Sequence, residues 1–73
     1  MLTIFITKPS KANYTPSSLM IEWARLNGVN ISRSKYGELL IDIAGNFKYD
    51  HWEITQNGDG SERVALHLTK AVA

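Results

Sequence analysis

Seventy-three residues with no cysteine and a formal net charge of +1 make one small domain, which neither a disulfide framework nor a thiolate zinc site can hold together. A hydrophobic content of 44% excludes a disordered chain, and no apolar run approaches the length of a membrane span. The small net charge hides a split. Up to Gly37 there are five basic residues (Lys8, Lys11, Arg25, Arg33, Lys35) against one acid (Glu22); from Glu38 onward there are three (Lys48, Arg63, Lys70) against six acids (Glu38, Asp42, Asp50, Glu53, Asp59, Glu62).

Leu2 to Thr7 is rich in β-branched residues and apolar at both alternating positions, so it predicts a fairly buried strand that ends before Pro9. Its apolar run is too short for a secretory h-region and no basic segment precedes it, so the expected location is cytoplasmic, with no membrane association. Lys8 to Ser18 is polar, holds both prolines and reads as a loop. Thr15-Pro16 then gives a helix start, a threonine N-cap followed by proline at the first helical position. The spacing of Leu19, Trp23 and Leu26, with Met20 and Ala24 beside them, predicts a helix over about 16–27. Gly28 supplies the left-handed stop, and Arg25 in the last turn suits the helix dipole.

Residues 36–44 fit two patterns. Leu39, Ile41 and Ile43 alternate as in a strand, while Tyr36, Leu39, Leu40 and Ile43 share one helical face. Gly37 and the β-branched Ile41 and Ile43 favour the strand. The segment over about 50–69 predicts a β-hairpin. A three-residue loop with Gly60 in the left-handed conformation, a G1 bulge, sets Ile54 opposite Val64 and Trp52 opposite Leu66, which puts both apolar rows on one face. The expected fold is α+β, with 1–73 forming one domain.

Catalytic equipment is sparse. His51 and His67 are the only histidines, and no ligand spacing accompanies them. Asp50 and His51 are adjacent on a strand, so their side chains are expected on opposite faces. No nucleophile motif surrounds any serine or threonine, no Gly-rich phosphate loop occurs, and Asn57-Gly58-Asp59-Gly60 lacks the ligand string of a calcium loop. The expectation is a non-enzymatic protein without metal or cofactor.

Two stretches suggest recognition. Ala24-Arg25-Leu26-Asn27-Gly28-Val29, then Ser32-Arg33-Ser34 and Glu38-Leu39-Leu40, resembles the helix-turn-helix pattern of small transcription regulators. That resemblance implies a second helix over 34–44 and a DNA-facing set of Ser32, Arg33, Ser34 and Lys35. The competing reading is a helix that ends at Gly28 and leads into a strand. A second cluster interleaves basic and aromatic residues (Arg33, Lys35, Tyr36, Phe47, Lys48, Tyr49, Trp52), as a base-stacking sheet face would.

In size, charge polarity and lack of catalytic equipment the chain resembles small phage-encoded proteins that bind host RNA polymerase or other host machinery. That resemblance implies a regulator that docks on a larger partner with an acidic surface and acts by occlusion or displacement. Direct DNA binding is the alternative, and the chain is expected as a monomer or homodimer. The charge split selects Lys8, Lys11, Arg25, Arg33 and Lys35 as steering charges, with Tyr14 and Tyr36 as the aromatic anchors nearest to them.

Overall fold

The structure, a computed structural model, describes residues 1–71. Its elements are β1 (Leu2–Pro9), α1 (Pro16–Asn27), β2 (Ile31–Arg33), β3 (Leu39–Asp42), β4 (Asn46–Gln56) and β5 (Ser61–Lys70). The five strands form one antiparallel sheet in the order β1-β5-β4-β3-β2, so β1 and β2 are the two edges. The fold is α+β, as expected.

The helix begins and ends where the chain chemistry places it. Thr15 accepts from the Ser18 N–H and the Ser18 hydroxyl accepts from the Thr15 N–H, a reciprocal capping box. Gly28 takes φ 65° and donates its N–H to Ala24 O. Leu19, Met20 and Ala24 are buried, with Ile21 and Trp23 packed beside them. Leu26, expected on the buried stripe, is 74% exposed instead. By the last turn the buried face has passed to Ala24 and away from position 26.

Alternation along the strands separates two faces. Ile4, Ile6, Val64, Leu66, Leu68, Leu39 and Ile41 meet the helix residues in a single core. The residues between them, such as Phe5, Arg63 and His67, turn to the open face, which no helix covers. β1 is therefore buried on one side rather than two: Phe5 is 53% exposed, with the Arg63 guanidinium 5.2 Å from its ring centroid. Edge position also explains how Pro9 ends the strand without costing a ladder bond.

The β4–β5 hairpin has the expected register, with Ile54 opposite Val64 and Trp52 opposite Leu66. Asn57 N–H donates to Ser61 O, and Gly60 takes φ 85°. Asp59 accepts from the Ser61 hydroxyl and N–H, and these bonds hold its carboxyl below the usual range. The strands extend beyond the expected 50–69, because β4 starts at Asn46 to pair with β3.

Two expectations are corrected. Residues 34–44 hold a turn, the strand β3 and the start of the next turn, so the second helix of the helix-turn-helix resemblance does not form. Gly37 takes φ 83°, which serves a turn and not a helix. Asp50 and His51 do not diverge: an irregularity between Tyr49 and His51 leaves Asp50 as an extra residue in β4, and its Oδ2 lies 2.6 Å from His51 Nδ1. Among the described residues no helix is long and apolar enough to cross a membrane.

Candidate functional site

The β2–β3 hairpin carries the most exposed chemistry of the molecule. Ser34 N–H donates to Glu38 O, so the loop is Lys35-Tyr36-Gly37, three residues closed by a left-handed glycine. The geometry repeats that of the β4–β5 turn. The Ser34 hydroxyl accepts from the N–H groups of Tyr36 and Glu38 at 3.2 and 3.1 Å, and Arg33 Nη1 donates to Gly37 O at 3.0 Å. These bonds satisfy the turn locally, so Lys35 and Tyr36 are free to project.

Tyr36 is 79% exposed, and Lys35 Nζ stands 5.1 Å from its ring centroid. An exposed cation–π pair contributes about 0.5–1 kcal/mol, enough to bias two mobile side chains into one arrangement. Beside them lies an open groove of about 710 Å³, lined by Lys35, Tyr36, Glu38, Leu40 and Lys48 among others. Leu40 is buried but is not part of the core cluster, since it pairs with Lys48 and faces away from the helix. The site thus has an apolar residue among its walls, one aromatic ring at its rim and two lysines. Lys48 Nζ lies 3.6 Å from Glu38 Oε2, with both groups substantially exposed. A pair so solvated is worth about 1 kcal/mol at most, so it leaves Lys48 available to a stronger acidic partner.

The other predicted site residues lie elsewhere. Lys8 is bonded to Glu22 at 2.9 Å on the β1 side of the molecule. Lys11 sits in the turn after β1 with φ 73°, and Arg25 is exposed in the last helical turn. The sheet edges are four strand spacings apart, about 19 Å. The five basic residues therefore do not form one face: Arg33 and Lys35 share the β2–β3 hairpin, while Lys8 lies in β1 and Lys11 in the turn after it.

Tyr14 is a packing residue, not an exposed anchor. Its ring meets Trp52 edge-on at 5.6 Å between centroids, and its hydroxyl donates to Glu62 Oε1 at 2.7 Å. The bond to Glu62, then burial, then the nearby carboxylate charge all push the phenol above its ordinary range.

Strand alternation also divides the basic-aromatic cluster. Phe47 and Trp52 pack against the core, and Tyr49 pairs with the inward Leu68, while Lys48 faces the groove. The rings and the lysine do not share a sheet face, so no stacking platform is built. The acids of the second half are held locally. Asp42 accepts from the Gly45 N–H, Asp50 meets His51, Glu53 meets His67, and Glu62 receives Tyr14 and Gln56. The acidic half of the chain is thus largely a set of turn and cross-strand bonds.

Sequence reasoning grouped Ser34 with Lys35 for DNA contact and Lys48 with Lys35 and Tyr36 for base stacking, and it missed Leu40 as a wall of the same groove. The available signal was a glycine three residues after a hydroxyl side chain, the spacing already recognised at Asn57–Gly60. Comparison with protein-family models, with curated proteins and with solved structures finds no match.

Proposed function

We propose that this is a non-catalytic regulatory protein that docks on a larger macromolecular partner through its β2–β3 hairpin. The partner is a protein with an acidic patch, of the kind that the resemblance to small phage regulators of RNA polymerase implies. Occupying that patch occludes it from another factor. The observation that supports this reading is the convergence of Lys35, Tyr36 and Lys48 around one groove at the sheet edge. Tyrosine and cationic side chains beside an apolar contact are the chemistry of interface anchors. β2 adds an edge with all three residues exposed, open to further backbone pairing.

The test is capture of partners from bacterial lysate by the tagged protein, with and without nuclease, alongside a variant carrying R33E and K35E. The reading expects a stoichiometric protein that survives nuclease, is released at high salt and is lost with the double variant. A K11E variant, altered near the opposite edge, retains it. Recovery of nucleic acid alone, abolished by nuclease, would overturn the reading in favour of direct nucleic-acid binding.

A further inference from the structure

The open face of the sheet carries a second group of side chains, nearer β1 than the groove and independent of the docking reading. His67 pairs with Thr3 on one side and with His51 on the other, a row across three strands. The two imidazoles stack with centroids 4.4 Å apart and planes 16° from parallel. Glu53, two residues after His51, reaches His67 Nε2 at 2.7 Å. One donor atom from each of His51, Glu53 and His67 lies within 4.8 Å of the other two.

We propose that His51, His67 and Glu53 bind a divalent zinc-class ion on this face. The argument rests on what holds each ring. Asp50 Oδ2 sits 2.6 Å from His51 Nδ1, and an ionised carboxylate only accepts, so Nδ1 carries the proton and Nε2 keeps its lone pair. His51 is thus already in the tautomer that ligates through Nε2, with a carboxylate behind it. Such an outer carboxylate is the usual support of a metal-bound histidine.

His67 is bracketed by Thr3 Oγ1 at Nδ1, 2.9 Å, and by Glu53 at Nε2. Without metal, Nε2–H donates to Glu53 and the threonine hydroxyl donates to Nδ1. On binding, the ion takes the place of the Nε2 proton, which Nδ1 can hold because the threonine hydroxyl accepts as well as donates. Each imidazole then has its outer nitrogen held and its Nε2 on the metal.

The donors must rearrange to bind: His67 Nε2 and Glu53 Oε1, 2.7 Å apart, move outward while the wider pairs close in. Metal–donor bonds of about 2.0–2.2 Å in tetrahedral geometry put neighbouring donors about 3.4 Å apart. Shifts of about an ångström, outward for that pair and inward from the 4.8 Å limit for the others, fall on the exposed His51 and Glu53 and the half-buried His67 of two neighbouring strands. Two imidazoles and a carboxylate suit zinc and its neighbours over calcium or magnesium, and water fills the fourth position. The same contacts also form a hydroxyl–imidazole–carboxylate chain. Two stacked imidazoles with donor atoms gathered beside one carboxylate make a ligand set, so metal binding is the reading favoured. Bound metal would tie β4 to β5 across the Asp50 bulge, in a domain too small for a large core and without disulfides.

The test is titration of the metal-stripped protein with Zn²⁺ alone, followed by calorimetry, imidazole NMR resonances and thermal unfolding. One equivalent should bind, the resonances of both histidines should move, and the melting temperature should rise by on the order of 10 °C at a hundredfold excess over Kd. H51A and H67A should each abolish the shift, and D50N should weaken binding about 10–100-fold. H51A removes an exposed ring and serves as the test if H67A fails to fold. No binding, or binding that persists unchanged in H51A, would overturn the proposal.

Discussion

The β4–β5 and β2–β3 hairpins use one turn and make opposite use of it. Each closes a three-residue loop with a left-handed glycine, Gly60 in one and Gly37 in the other, and each brackets the loop with a backbone bond, Asn57 to Ser61 and Ser34 to Glu38. The strands differ. β4 and β5 run 11 and 10 residues and place Val64, Leu66 and Leu68 fully inside the core. β2 has three residues, all exposed. Long strands with one apolar face supply the burial that holds the domain together. In the short hairpin β3 still puts Leu39 and Ile41 into the core, but β2 and the loop lie outside it and carry Lys35 and Tyr36 outward. On the proposed docking role, stability and recognition would be divided between two copies of one local device.

Deleting core volume should separate the hairpins most. L66A removes a fully buried side chain and should cost about 2–5 kcal/mol in denaturant unfolding. I31A, on the exposed β2, should stay within about 0.5 kcal/mol of the parent. Equal losses would mean that the edge hairpin is as integral as the core one. The glycines give a finer contrast. A Cβ at Gly60 or Gly37 meets no atom within 4 Å, so an alanine there suffers only from its positive φ. G60A should lower global stability by about 1–2 kcal/mol. G37A should lower it less, because β2 and the loop can open while β3 stays in the core, and the loss should appear as faster hydrogen exchange of the Ser34 N–H.

The smallest effect concerns Tyr14. Its folded pKa is raised, so the neutral phenol is favoured in the native state. The stability it confers is full below the unfolded value of 10.0 and is lost as pH rises through the higher folded value. Y14F should remove that alkaline decline while leaving stability near pH 7 within about 1 kcal/mol. An unchanged alkaline limb in Y14F would assign the decline to another group.

The contrast between the hairpins also explains what the sequence disclosed. Asn57-Gly58-Asp59-Gly60 is built from turn formers, and the flanking strands alternate cleanly, so turn, register and core face were all legible there. Ser34-Lys35-Tyr36-Gly37 makes the same turn with turn formers only at its two ends, Ser34 and Gly37. Ile31–Arg33 is too short to show a period. Leu39, Leu40 and Ile41 are buried in succession, two towards the core and one away from it, which is why strand and helix patterns both fitted. Half of the docking site was visible, as Arg33, Lys35 and Tyr36. Leu40 was hidden because only β3–β4 pairing shows that it faces the groove, while Lys48 was grouped with Lys35 and Tyr36 on a stacking face that does not form. Lys8 and Tyr14 have partners within the chain, Glu22 for one and Glu62 and Trp52 for the other, that closeness in sequence does not reveal. The charge split itself did not survive as one basic face, since the sheet separates the two basic groups by its full width.

The docking role of the β2–β3 hairpin is tested most directly by site-specific photo-crosslinking in bacterial lysate, with p-benzoylphenylalanine placed at position 36 or at position 5 near the other edge. The account predicts one discrete protein adduct from position 36, resistant to nuclease, and none from position 5. An adduct from position 5, or none from position 36, would contradict it.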